Sequence, residues 1–220
     1  MRAARSSQGL LYSMVDKSVS RGRGRPRMFD PDDVLDKVID VFWERGFEAS
    51  DTETLAKCTG LTKPSLYNAF GSKEDLFVAA IHRYRQTRSK ASIDALMKAK
   101  TPQEGIKDYY LRFAENIAGP GHPRGCLIMS VALPICDRLP KVAAIFETMP
   151  KESHAHMRAY FDAQITGGHL PEDFDSNAAI ALFQDLGAAM IMQARAGAPL
   201  DLLKSKAARN TNLVLSVGGV

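Results

Sequence analysis

The chain has 220 residues, 45% of them hydrophobic, enough to bury a real core in one large or two small domains. No run of about 18 apolar residues occurs, which excludes a membrane-spanning helix, and Cys58, Cys126 and Cys136, with no C-x-x-C spacing, argue against a disulfide scaffold. The formal charge of +4 is unevenly placed: residues 1–27 hold Arg2, Arg5, Lys17, Arg21, Arg23, Arg25 and Arg27 against Asp16 alone, a basic segment on a slightly acidic remainder, which is a nucleic-acid signature.

Arg2 and Arg5 precede only a short, partly apolar patch, Gly9 to Val15, closed by Asp16 and Lys17. No secretory leader is expected, and the cytoplasm is the expected location. In Arg21-Gly22-Arg23-Gly24-Arg25-Pro26-Arg27, glycine and proline disfavour a helix. The alternate arginines Arg23, Arg25 and Arg27 suit a narrow groove, as arms that read the minor groove beside a major-groove helix do. The same composition also suits a solvated tail. Residues 1–27 are therefore read as a flexible basic arm.

A helix should start at Asp30, with Pro31 in its first position and Asp32 and Asp33 at its positive end. Val34, Leu35, Val38, Ile39, Phe42 and Trp43 recur at helical spacing, and Arg45-Gly46 closes it. A second helix is signalled by Ser50-x-x-Glu53, a capping box in which each side chain satisfies a backbone N–H, and Gly60 ends it in the left-handed conformation. Leu61 fills the turn and Thr62 caps a third helix. Pro64 is tolerated in its first turn, and Leu66 and Phe70 share its inner face. Lys63, Ser65, Tyr67, Asn68 and Ala69 then point outward. Ser72 caps a fourth helix, with Lys73 placed to hold a DNA phosphate.

Two short helices around a Gly-bearing turn form a helix-turn-helix, whose second helix enters the major groove. Lys63 suits guanine or a phosphate, Ser65 offers one bond, and Asn68 can pair with adenine. The competing reading is an ordinary helical hairpin with a polar outer face. Beyond the local signals, Phe29-Asp-Pro-x-x-Val-Leu-Asp, Phe42-Trp-x-x-Gly46-Phe47, Leu55-Ala56, Thr59-Gly60-Leu61 and Pro64-Ser65-Leu66-Tyr67-x-x-Phe70-Gly71-Ser72-Lys73 together resemble the tetracycline-repressor (TetR) family over about residues 21–84. Thr52 departs from the pattern, standing where that family usually carries an apolar branched residue.

The resemblance implies an all-α homodimer on a near-palindromic double-stranded DNA operator, in most members a repressor released by a small molecule. By position it implies DNA contacts from Ser50, Thr62, Lys63, Ser65, Tyr67, Asn68 and Lys73, with Tyr67 and Lys73 on phosphates.

Leu76, Phe77, Ala80, Ile81 and Tyr84 continue the fourth helix toward a helical body, with His82, Arg83, Arg85 and Arg88 expected to be solvated. Thr101-Pro102-Gln103-Glu104 starts another helix. An apolar stretch follows from Cys126 to Ile135, then a long pattern from Pro140 to about Thr166 that Pro150 should kink or split. Further patterns run from Ser176 to Ala196 and from near Pro199. The last two helices commonly form the dimer interface in TetR relatives, although intrachain packing explains them nearly as well.

Phe113, Ile117, Cys126, Met129, Phe146, Met149, Phe183 and Met190 are candidate lining for an apolar effector pocket; simple core membership is the competing reading. Cys126, near a helix start in Arg124-Gly125-Cys126-Leu127, is a candidate redox or electrophile sensor, against the default of a buried, inert thiol. No carboxylate pair, Ser-His-Asp set or phosphate-cradling loop appears, so no enzyme, cofactor or metal site is expected. The expected architecture is all-α: a basic arm at 1–27, a three-helix helix-turn-helix DNA-binding domain at 28–75, and a helical effector-binding and dimerisation domain at 76–220.

Overall fold

The first helix, α1 (Pro31–Ala49), buries Val34, Val38, Ile39, Phe42 and Trp43 along one face, as their spacing predicts. The computed structural model describes residues 29–219, so the arm residues Arg23, Arg25 and Arg27 lie outside the described residues. Helical hydrogen bonding continues past Gly46, but the glycine itself has φ 79° and ψ 171°, a conformation costly for any residue with a Cβ. The axis therefore breaks where the sequence places a stop, and Phe47 turns back into the core.

After that break come α2 (Thr52–Thr59), α3 (Lys63–Phe70) and α4 (Lys73–Thr87). The apolar face of α4, with Leu76, Phe77, Ala80, Ile81 and Tyr84 buried, packs on α1. Phe77 meets Phe42 at 4.8 Å and Phe47 at 5.2 Å between ring centroids, so the broken end of α1 is fixed by aromatic packing.

The body follows as α5 (Lys90–Lys98), α6 (Pro102–Ala118), a π-helical turn at Ile128–Ala132, a 3-10 turn at Leu133–Arg138, α7 (Pro140–Thr166), α8 (Ser176–Arg195), α9 (Leu200–Ser205) and α10 (Ala207–Val217). The described residues contain no strand, in agreement with the all-α expectation. α6 is the hub. It packs against α5, α8, α9 and α10 and buries Ile106, Tyr110, Ala114 and Ile117, while Tyr110 donates its hydroxyl to the Phe183 carbonyl of α8 at 2.9 Å.

Three expectations are corrected here. Pro150 does not split α7, which is assigned as one helix of 27 residues; the proline is exposed, where the carbonyl it leaves unpaired can turn to water. The final pattern divides at Lys206 into α9 and α10. α5 was not expected, because Ser89 gives it no side-chain cap and the chain passes into it directly from α4.

On the outer side of α4 the three arginines are paired rather than simply solvated, while His82 is exposed. Arg83 pairs with Asp32 at 2.8 Å and Asp36 at 2.7 Å, Arg85 with Glu152 at 3.0 Å, and Arg88 with Asp40 at 3.6 Å. Trp43 packs edge-on to Tyr84 at 5.1 Å and flat against His122, from the loop after α6, at 4.9 Å. Arg138 reaches Glu48 at 3.3 Å. Glu74 accepts the Lys141 backbone N–H at 2.8 Å, a carboxylate at the positive end of α7, while the Lys141 side chain binds Asp75. The first four helices are thus joined to the body through packing and charge at once.

Candidate nucleic-acid interface

Each helix of the motif is started by a side chain. Asp51 caps α2, accepting the Thr54 N–H at 2.7 Å. Gly60 ends that helix at φ 74° and ψ 12°, its N–H bonded to the Lys57 carbonyl. Thr62 caps α3 through the Ser65 N–H at 3.3 Å, and its hydroxyl lies 2.9 Å from that of Ser65. Ser72 and Asp75 form a reciprocal box at the start of α4. Cap, left-handed glycine and cap therefore fix the angle between α2 and α3 with bonds spanning only three residues.

Leu66 is the buried anchor of α3. Around it Lys63, Ser65, Tyr67 and Asn68 are exposed, which gives one short helix a surface of an ammonium, a hydroxyl, a phenol and a carboxamide. Such a set can address phosphates and base edges. Ala69 is only half-exposed, so it contributes less to that surface than the helical spacing suggested.

The expected role of Ser50 is corrected by its burial. Its side chain is fully enclosed at 0% exposure and donates to the Gly46 carbonyl at 2.5 Å. The chain changes direction at Gly46 and the serine hydroxyl serves the carbonyl there, so neither the cap of α2 nor a DNA contact falls to its side chain. Asp51 takes the cap, an aspartate being as good an N-cap as a serine.

Lys73 is half-buried. Its ammonium donates to the Glu48 carbonyl at 3.3 Å and lies 4.5 Å from the centre of the Phe47 ring, and burial lowers its pKa. A phosphate contact from Lys73 would replace or share that bond. Two links that the sequence did not indicate cross from α2 to α3: Lys63 pairs with Glu53 at 3.6 Å, and the Thr52 and Tyr67 hydroxyls lie 2.5 Å apart. Partners ten and fifteen residues apart on different helices leave no periodic signal.

The candidate pocket residues are divided between core and surface. Ile117, Cys126, Phe183 and Met190 are buried in the core, Phe113, Phe146 and Met149 are half-buried, and Met129 is exposed. Phe113 and Phe183 pack against Tyr109, whose ring lies 5.6 Å from Phe113 and 4.6 Å from Phe183. Two surface grooves are open elsewhere. One, of 310 Å³, is lined by Asp33, Asp36, Lys37, Asp40 and Arg88; the other, of 320 Å³, runs between the end of α1 and residues 130–135. None of the candidate lining residues borders either groove.

Burial pushes the Cys126 thiol up, opposite to the lowered pKa that makes a cysteine reactive. Among the described residues no group of three His, Cys, Asp or Glu side chains could hold a metal ion. No helix there is long and apolar enough to cross a membrane.

Residues 34–80 match the family described as bacterial regulatory proteins, tetR family. The chain is 26% identical to the HTH-type transcriptional repressor ComR of Escherichia coli over 84% of this chain and 89% of that protein. It is 27% identical to the HTH-type transcriptional regulator YezE of Bacillus subtilis over 82% and 94%. Among solved structures, a cysteine mutant of the TetR family transcriptional regulator CifR, complexed with 26 bp double-strand operator DNA, superposes with a TM-score of 0.76 at 29% identity, covering 86% of this chain and 98% of that one. The matched segment falls on α1 to α4, so this chain carries a DNA-binding segment of the tetR-family type, and its likeness to TetR-family regulators continues through the body.

Proposed function

We propose that the protein is a homodimeric repressor that holds a near-palindromic operator through two copies of α3 and leaves it when a small, largely apolar effector binds the body. The observation that carries the DNA-binding part is the exposed set of Lys63, Ser65, Tyr67 and Asn68 around the buried Leu66, on a helix whose start and preceding turn are fixed by Thr62 and Gly60. Repression is supported by the name of one relative that matches most of the chain. The arm at 1–27 would add minor-groove contacts, the head at 28–75 would read the operator, and residues 76–220 would bind effector and pair the subunits.

Pairing is supported by exposed apolar side chains on the last helices: Met192 of α8, Leu202 of α9, and Leu213 and Val217 of α10. A monomer gains nothing from keeping them in water. The effector would enter by separating the Tyr109, Phe113 and Phe183 rings, so the ligand-bound body differs from the closed one. Motion there reaches the head through α4, and a ligand that binds only the open body shifts the population away from the DNA-bound form. The buried, raised thiol of Cys126 favours this reading over a cysteine switch.

The test is selection of genomic fragments by the purified protein at one fixed near-physiological salt, followed by fluorescence anisotropy with the recovered site and a shuffled duplex. Enrichment of a near-palindrome that saturates with one or two dimers is expected. Equal affinity for the shuffled duplex would overturn the proposal.

A further inference from the structure

Among the outward residues of α3, Tyr67 is the one whose hydroxyl is bonded to α2. It is 36% exposed, and its oxygen lies 2.5 Å from that of Thr52, the first residue of α2. One turn earlier on α3, Lys63 reaches Glu53, the second residue of α2. Residues 52 and 53 thus meet residues 67 and 63, and the first turn of α2 is laced to the outer face of α3 along its length.

The chemistry of the hydroxyl pair is specific. Two hydroxyl groups carry two protons, and their mutual bond uses one. Either oxygen can donate in the unbound protein; when an outer acceptor takes the Tyr67 proton, Thr52 donates to the phenol oxygen and holds the direction of that O–H. A hydroxyl that already accepts a bond is also the stronger donor. The partner it suits is an acceptor without protons of its own, and on the DNA face of this motif that is a phosphate oxygen. A valine or isoleucine at 52 would occupy similar space without the bond, and the phenol would then rotate about its C–O axis and give its proton in several directions.

We infer that Thr52 is a positioning residue for DNA binding: its hydroxyl orients the Tyr67 phenol onto a backbone phosphate, so the two side chains act as one contact. The inference rests on the DNA-binding reading above. Because phosphates carry no sequence information, the pair contributes equally on operator and on unrelated duplex. Because neither group is charged, it leaves the salt dependence of binding unchanged.

The experiment is a double-mutant cycle by fluorescence anisotropy on the full chain, with the selected operator and a shuffled duplex, comparing wild type, Thr52→Val, Tyr67→Phe, the double variant and Thr52→Ser. Each of the first two should weaken binding of the dimer about 25-fold, the worth of one hydrogen bond in each of two subunits, and by the same factor on both duplexes. The double variant should bind no more weakly than Tyr67→Phe alone. Thr52→Ser, which keeps the hydroxyl, should bind like wild type, and all variants should share its thermal midpoint. Unchanged affinity of Thr52→Val, multiplied losses in the double variant, or a loss confined to the operator would each overturn the inference while leaving the regulator reading intact. Absence of any wild-type complex would instead remove the reading on which both depend.

Discussion

The DNA-binding head and the body are both helical, yet their helices are started in different ways. α2, α3 and α4 each begin on a side chain that accepts a backbone N–H: Asp51, Thr62 and Ser72. In the body, α6 and α8 have such caps in Thr101 and Asp175, whereas α5, α7, α9 and α10 have none. Short-range bonds set the geometry of the head, and burial around α6 sets that of the body. A motif that must match the fixed spacing of a DNA groove gains from the first arrangement. A body that opens for a ligand, as proposed above, would gain from the second, because packed rings part without breaking a chain of caps.

The largest effect on this contrast should come from removing what joins its two sides. Trp43 is fully buried between Tyr84 and His122, and Trp43→Ala should cost about 3–5 kcal/mol. Urea denaturation followed by circular dichroism and by tyrosine emission should show head and body losing stability together. A separate early transition for one of them would mean that the two are independent.

A smaller loss tests the local encoding of the head. Gly60 has φ 74° and open space where a Cβ would sit, so Gly60→Ala meets backbone strain and no clash. It should cost about 1–2 kcal/mol and weaken operator binding beyond that, by changing the angle between α2 and α3. Gly187→Ala, in mid-α8 with φ in the ordinary range and its nearest neighbour 3.9 Å away, is the matching body change and should leave both properties near wild type. Equal effects from the two would erase the distinction.

The finest test is pH. The Lys141 ammonium, with the Ser72 hydroxyl and N–H, holds the Asp75 carboxyl down at about 2, from an ordinary value of 3.8. A depressed carboxyl contributes stability that is fully present above its unfolded value and lost as pH falls through the folded one. The thermal midpoint of the wild type should therefore decline between pH 3.8 and about 2 more steeply than that of Asp75→Asn. Lys141→Ala should remove part of the difference, since Ser72 remains. Parallel curves would show that the contact between α4 and α7 contributes nothing to folding.

How much was legible follows the same division. Gly60 and Thr62 announced the turn because each performs its task within three residues, and the outward set on α3 followed from the spacing of Leu66. Ser50 misled because two good caps stand side by side: only the fold shows that the break at Gly46 leaves a carbonyl for Ser50, passing the cap to Asp51. The link from Thr52 to Tyr67 was invisible, since a threonine at the start of a helix has no periodic relation to a tyrosine in the next. In the body, Phe113, Phe183 and Met190 have the composition of a pocket wall, and nothing in their types distinguishes a wall from a core. The start of α5 carried no cap to find.

The bond from the Lys141 backbone N–H to Glu74 bears on any attempt to transplant this regulator's specificity. A chimera cut after Phe70 would carry the reading surface but leave behind the carboxylate that closes the front of α7, while a cut after α4 would bring that carboxylate to a foreign host. The exchangeable unit is therefore not a contiguous stretch of sequence. It is residues 31–87 together with a receiving turn that offers an unoccupied amide and a lysine where Lys141 stands, and a recipient scaffold should be chosen by that turn before its operator preference is considered.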